Sequence, residues 1–255
     1  MRVEQMKPLR ERALLLAVDL DGTFLGGADH DRRSLYDMIT RCRDDIALLF
    51  VTGRDIAFAA GLAERGEAPA PDIIIGDVGT SVVVAPHWTP HPVESWIDAR
   101  WPGRERAERL LAGRPELALQ RVFGGRRLSY FFSNEDKAAQ ACADVEAEGY
   151  AGLLSANVFF DVLPPGVNKG RTLLRVIEHE GFDPARALCA GDTMNDYSLF
   201  ETGLRGVAVG NSELRLREAV KDIDSVYCAR REGAGGIVEA ILHFNLLPDA
   251  IVEAS

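Results

Sequence analysis

Three uninterrupted apolar runs constrain this chain more than any other feature: "LLLAV" at Leu14–Val18, "IALLFV" at Ile46–Val51 and "ALCAG" at Ala187–Gly191. Each is too short for a helix and apolar at every position, as in a strand buried on both sides of a parallel sheet. Stretches of helical character alternate with them, at Arg33–Arg43, Ile56–Glu64 and Arg171–Glu180. A third strand begins at Asp72–Ile75 and runs into "GDVGTSVVVA"; further on, "GVAVGN" reads as a strand, "NDYSLFETG" starts a helix and "GGIVEAILHF" is a closing helix. This βα rhythm predicts an α/β fold, a Rossmann-like parallel sheet covered on both faces.

The rhythm breaks once. From about Pro86 the chain carries all three tryptophans and several prolines. Beyond them "ALQRVF", "RRLSYFFS" and "LLSANVFFDVLP" read as strands, with a helical "EDKAAQACADVEAEG" between the second and third. The expected organisation is a core formed by residues 1–83 and 166–255, interrupted by a smaller α+β cap at residues 84–165.

Composition limits the partners. Asp and Glu number 39 against 29 Lys and Arg, a net charge of -10, which disfavours a nucleic-acid or anionic-membrane binder. Four cysteines, Cys42, Cys142, Cys189 and Cys228, lie far apart with no CxxC pair and read as reduced thiols. The basic N-terminal stretch has only a short apolar run that meets Asp19 directly, so no signal peptide or transmembrane segment is expected. A cytoplasmic protein is the resulting expectation.

The predicted strand ends carry the chemistry. In an open α/β sheet, ligands bind at the carboxyl ends of the strands. Asp19 and Asp21 follow the first strand, Thr52 the second, and Asp192 and Asp196 follow "ALCAG", while Lys169 opens the helix after the cap. Residues i and i+2 of an extended segment project to one side, so Asp19 and Asp21 can face one ligand, and Gly22 lets the chain turn. A divalent cation would make the clustered carboxylates tolerable. Acidic oxygens without His or Cys suit a hard ion such as Mg²⁺, held by Asp19, the backbone carbonyl of Asp21 and Asp192, with Asp196 in or beside the shell. Thr52 and Lys169 supply a hydroxyl and a cation for phosphoryl oxygens. Each residue also has a plainer role: Thr52 and Asp192 as helix caps, Asp196 at a helix's positive end, Lys169 as a solvated lysine.

Taken in order, "DLDGT", "TGR", the lysine of "GVNKG" and "GDTMND" resemble the four motifs of the haloacid dehalogenase superfamily of phosphohydrolases. The insertion resembles that superfamily's type IIB cap, shared by Cof-type sugar phosphatases, sucrose-phosphate phosphatases and phosphomannomutases. The resemblance implies that Asp19 attacks phosphorus and forms an aspartyl-phosphate, and that Asp21 protonates the leaving oxygen and then activates water. It also places Thr52, Gly53, Arg54, Lys169, Asn195 and Asn211 against the substrate. Asn195 and Asn211 could equally shape turns. Within that superfamily, "DVLPPGVNKGRTL" and "RRLSYFF" are similar to the "ILPQGAGKGQAL" and "HKVSFYV" of sucrose-phosphate phosphatases. Arg127 then becomes either a sugar-hydroxyl contact or a surface residue, and Thr80 and Asp77 either meet the sugar or set the hinge.

The expected activity is thus a Mg²⁺-dependent phosphatase acting on a small-molecule sugar phosphate, first of all a disaccharide phosphate such as sucrose 6-phosphate. Mannosylfructose phosphate or another hexose phosphate is the near alternative. A phosphomannomutase is the mechanistic rival and would use an arginine set such as Arg121, Arg126 and Arg127. A phosphate- or metal-sensing binding protein is the non-enzymatic reading. The sequence leaves the oligomeric state open.

Overall fold

A computed structural model describes residues 7–122 and 124–247. The first half of the core runs through β1 (Leu14–Val18), α1 (Asp29–Arg41), β2 (Ile46–Val51), α2 (Ile56–Glu64), β3 (Ile73–Gly76), β4 (Ser81–Val84), β5 (Thr89–Pro90) and α3 (Glu94–Asp98). A smaller unit follows, made of α4 (Arg104–Leu111), β6 (Leu117–Leu119), β7 (Leu128–Phe132), α5 (Glu135–Ala147), β8 (Ala151–Ser155) and β9 (Phe159–Leu163). The core then resumes with α6 (Lys169–Glu180), β10 (Ala187–Gly191), α7 (Tyr197–Phe200), β11 (Arg205–Ala208), α8 (Leu214–Val220), β12 (Val226–Cys228) and α9 (Gly233–His243).

The large sheet has eight strands in the order β12-β11-β10-β1-β2-β3-β4-β5. Pairing is parallel from β12 to β3 and antiparallel from β3 to β5. The three apolar runs are its centre, and every residue of β1, β2 and β10 is buried. Alternation then sorts β1. Leu14, Leu16 and Val18 pack with Phe24, Phe50 and α9 on one face, and Leu15 and Ala17 with α6 and Phe200 on the other. Helices cover both faces because their apolar residues recur at three- and four-residue spacing. On α6, Leu173, Val176 and Ile177 are buried, Asn168 caps the start through the Arg171 amide, and Gly181 ends it in the left-handed region.

The strand order reverses beside β1. The chain moves outward through β2 and β3, leaves for the cap, and returns as β10 on the opposite side of β1. Such a switch point opens a crevice at the strands' carboxyl ends. Register aligns Val18 with Phe50 and with Ala190, so Asp19, Thr52 and Asp192 all follow strand ends at one rim.

Three expectations change. Residues 84–100, assigned from sequence to the cap, build onto the core: β5 pairs with β4, and Val93, Trp96 and Ile97 pack against the core cluster. The cap's own cluster begins near Trp101. "LLSANVFFDVLP" is two strands, β8 and β9, because Ala156 and Asn157 take left-handed backbone and reverse the chain. Finally, α1 starts at Asp29, with Asp29 and Asp31 in its positively polarised first turn. The cap sheet is antiparallel, ordered β6-β7-β9-β8, with α4 and α5 on one face. Among the described residues no helix is long and apolar enough to cross a membrane.

Leu16 is fully buried in the central strand. Its replacement in Leu16→Ala should cost about 2–5 kcal/mol of unfolding free energy, read by urea titration; a loss under about 1 kcal/mol would contradict this packing.

Candidate active site

Lys169, the first residue of α6, is wholly buried and organises the rim. Its ammonium donates to Asp19 Oδ1 at 2.7 Å, Asp196 Oδ1 at 2.6 Å and Asn195 Oδ1 at 2.7 Å. An ammonium has three protons, and all are used. Burial pulls the lysine's pKa down, yet Asp19 and Asp196 outweigh it and hold the group above its ordinary value, fully charged.

The carboxylates are not balanced by this one cation. Asp196 is held on both sides: Lys169 donates to one oxygen, and the amides of Asp192 and Thr193 to the other at 3.0 and 3.1 Å. Among the described residues the Asp192 side chain accepts only the Thr23 hydroxyl, at 3.0 Å, and burial with the nearby Asp196 pushes its pKa up to about 7. Asp19 is also raised well above the carboxylate range, first by burial and then by Asp196 and Asp192, against the pull of Lys169.

Asp19, Asp192 and Asp196 bring oxygen atoms within 4.8 Å of one another. Excess buried negative charge and an all-oxygen donor set fit a hard divalent cation such as Mg²⁺. The loop after β1 is shaped for it. Gly22 sits at φ +77°, and a Cβ there would lie 2.2 Å from Asp192 Oδ2. Asp19 and Asp192 would be side-chain ligands, with Asp196 in or beside the shell.

Asp21 is turned away from this cluster. Both its oxygens pair with Arg54, at 2.7 and 2.9 Å, and the pair is about half exposed. Thr52 is buried at the end of β2, its hydroxyl oxygen accepting the Arg54 amide at 3.1 Å. Asp19, Asp21, Gly53, Arg54 and Asn195 line one cavity of about 400 Å³. The cap sheet closes it from above with Gln120, Arg127, Phe159 and Asp161.

Three residues expected near substrate have protein partners instead. The Thr80 hydroxyl donates to the Asp77 carbonyl at 2.9 Å, within the buried turn between β3 and β4. The Asn211 amide donates to the Gly22 carbonyl at 2.9 Å, and its oxygen accepts the Gly233 amide at 2.8 Å, tying the β1 loop to α9. Arg127 lines the cavity, but its donors go to Asp161, Ser129 and the Gly53 carbonyl. Arg126 pairs with Glu94 and Asp98, so two of the three arginines named for a mutase are committed to protein acceptors. The three tryptophans do not line this cavity. Thr23, Gln120, Phe159 and Asp161 were not anticipated. The alternation in "RRLSYFF" and "NVFFDVL" was the available signal, since it puts every second residue on the face away from the cap helices.

The family model described as sucrose-6F-phosphate phosphohydrolase matches residues 12–245. The chain belongs to this family. A glucosylglycerol-phosphate synthase from Pseudomonas anguilliseptica is 42% identical over 236 residues, which cover 92% of this chain and 31% of that relative. The chain thus spans about a third of that longer protein. A mannosylfructose-phosphate phosphatase from Agrobacterium fabrum is 30% identical over 255 residues, covering 95% of this chain and 100% of the relative. Among solved structures, the sucrose-phosphatase from Synechocystis sp. PCC6803, in complex with sucrose and phosphate, has a TM-score of 0.84 at 26% identity, covering 93% of this chain and 100% of that one. The haloacid dehalogenase-type α/β core expected from the motifs is the fold of this family member.

In Gly22→Ala the added Cβ meets Asp192, so Mg²⁺ binding by calorimetry should weaken roughly tenfold or more with the circular dichroism spectrum preserved. Unchanged affinity would show that the close approach plays no part in holding the ion.

Proposed function

We propose that this chain is a phosphomonoesterase that transfers the phosphoryl group of a sugar phosphate to Asp19 and then to water. The observation that carries the reading is the three-way bond of Lys169, which holds Asp19 at the rim of a cavity large enough for a small ligand.

The Asp19 carboxylate attacks phosphorus in line, forming the aspartyl-phosphate as the sugar oxygen departs. Asp21 gives that oxygen a proton, then takes one from the water that cleaves the intermediate. Arg54 occupies both Asp21 oxygens, so its guanidinium must move before Asp21 can reach the leaving oxygen, and a phosphate dianion competes for it. Lys169 and Thr52 stabilise charge on the equatorial oxygens. Asp19 and Asp192 would hold Mg²⁺, which would supply further positive charge beside the phosphoryl group. The cap above excludes water from the reacting atoms.

Family membership supports a phosphorylated glycoside, sucrose 6-phosphate first. A second reading, glucosylglycerol phosphate, is favoured by the 42% identity to part of a protein named for synthesising that compound.

Asp19→Asn should reduce turnover roughly a thousandfold or more, measured as phosphate release; near-normal rates would remove the assigned nucleophile. Across sucrose 6-phosphate, glucosylglycerol phosphate, mannosylfructose phosphate and hexose 6-phosphates, kcat/KM should favour one glycoside phosphate over the simple hexose phosphates by roughly tenfold or more. A flat profile would leave the phosphatase and discard the glycoside preference.

A further inference from the structure

Alternation gives the cap sheet two unlike faces. Leu128, Tyr130, Phe160 and Val162 turn towards α4 and α5 and build the cap's apolar cluster. Their neighbours turn towards the catalytic rim. Register sets Ser129 opposite Asp161 and Phe131 opposite Phe159, while the Gln120 amide bonds the Ser129 carbonyl at 2.8 Å. A polar row, Gln120–Ser129–Asp161, therefore lies beside an aromatic row in which the Phe131 and Phe159 rings are 5.4 Å apart.

Within the polar row one buried side-chain nitrogen meets no acceptor among the described residues. Arg127 gives Nε to Asp161 Oδ1 at 2.8 Å, Nη1 to the Gly53 carbonyl at 2.7 Å and Nη2 to Ser129 Oγ at 3.4 Å. Gln120 Nε2 is buried and has no hydrogen-bond partner among the described residues. Native proteins seldom leave a buried amide so. Trp96 Nε1, which shares this condition, does not line the cavity, whereas Gln120 does, together with Asp19, Asp21, Phe159 and Asp161.

We propose that Gln120 is a specificity-determining residue whose side-chain amide donates to an oxygen of the leaving group. Asp161, held in place by Arg127, accepts from a neighbouring hydroxyl, and the Phe159 ring covers an apolar face of the same group. The substrate class selected is a phosphate ester whose leaving group carries hydroxyls beyond the phosphorylated carbon, reaching from Asp19 to β6. Phenyl phosphate has no oxygen beyond its phosphate group for Gln120. This inference rests on the phosphatase reading and deepens it.

The test compares kcat/KM for the best glycoside phosphate of the panel with kcat/KM for phenyl phosphate. Wild type is set against Gln120→Leu and Gln120→Met, the second keeping the side chain's length, with thermal melts to verify folding. The ratio should fall roughly 10- to 100-fold in both variants, the loss of one buried hydrogen bond. A ratio within about twofold of wild type in a folded variant overturns the assignment. A wild-type protein active on phenyl phosphate but on no glycoside phosphate overturns it too, leaving the phosphatase reading intact. A wild type inactive on every ester defeats the phosphatase reading itself.

Discussion

One buried ammonium holds the active-site architecture together. Lys169 is fully enclosed, and an unpaired charge there would be prohibitively costly, so its position depends on acceptors from distant parts of the chain. Asp19 arrives from the end of β1, and Asn195 and Asp196 from the turn after β10. The surrounding backbone approaches closely for the same reason. A Cβ at Gly170 would lie 1.8 Å from the Ser198 carbonyl oxygen, and one at Gly79 2.5 Å from the Asn168 backbone. The Thr172 hydroxyl then bonds the Gly79 carbonyl at 2.8 Å, pinning the start of α6 to the turn between β3 and β4. Helix, hinge turn and catalytic loop thus form one unit around a single charge.

The cap is joined to this unit by a second buried cation. Arg127 bonds Asp161 within the cap and the Gly53 carbonyl in the loop that carries Thr52 and Arg54. Asp77, 3.7 Å from Arg127 and raised in pKa by burial against that arginine's pull, completes the junction. An arginine suits this place because its planar fork meets several acceptors at once and keeps its charge when buried. The cap sheet and the loop after β2 are therefore in register through side-chain chemistry as well as through the two chain crossings.

Much of the core was legible from apolar runs and their punctuation. "LLLAV", "IALLFV" and "ALCAG" have no polar position, and only a doubly covered parallel strand buries such a run in a soluble domain. The residues just after them could be placed at one rim because parallel strands end on the same side. The short elements were hidden. β12 has three residues, β5 two, and both owe their existence to a neighbouring strand. The hairpin in "LLSANVFFDVLP" depends on two non-glycine residues in the left-handed region, which a continuous apolar pattern does not announce.

Local order along the chain determined which residues could carry chemistry: Asp19, Thr52, Lys169 and Asp192 stand at element ends, and their types suit a phosphate and a hard ion. Partnership was decided only in three dimensions. Arg127 and Asn211 look free in sequence yet bond Asp161, Gly53, Gly22 and Gly233, whereas the unremarked Gln120 keeps a buried nitrogen without an acceptor among the described residues. Hydrogen bonds and ion pairs between segments far apart in the chain depend on distances of a few tenths of an ångström, and those distances exist only once the two sheets have packed.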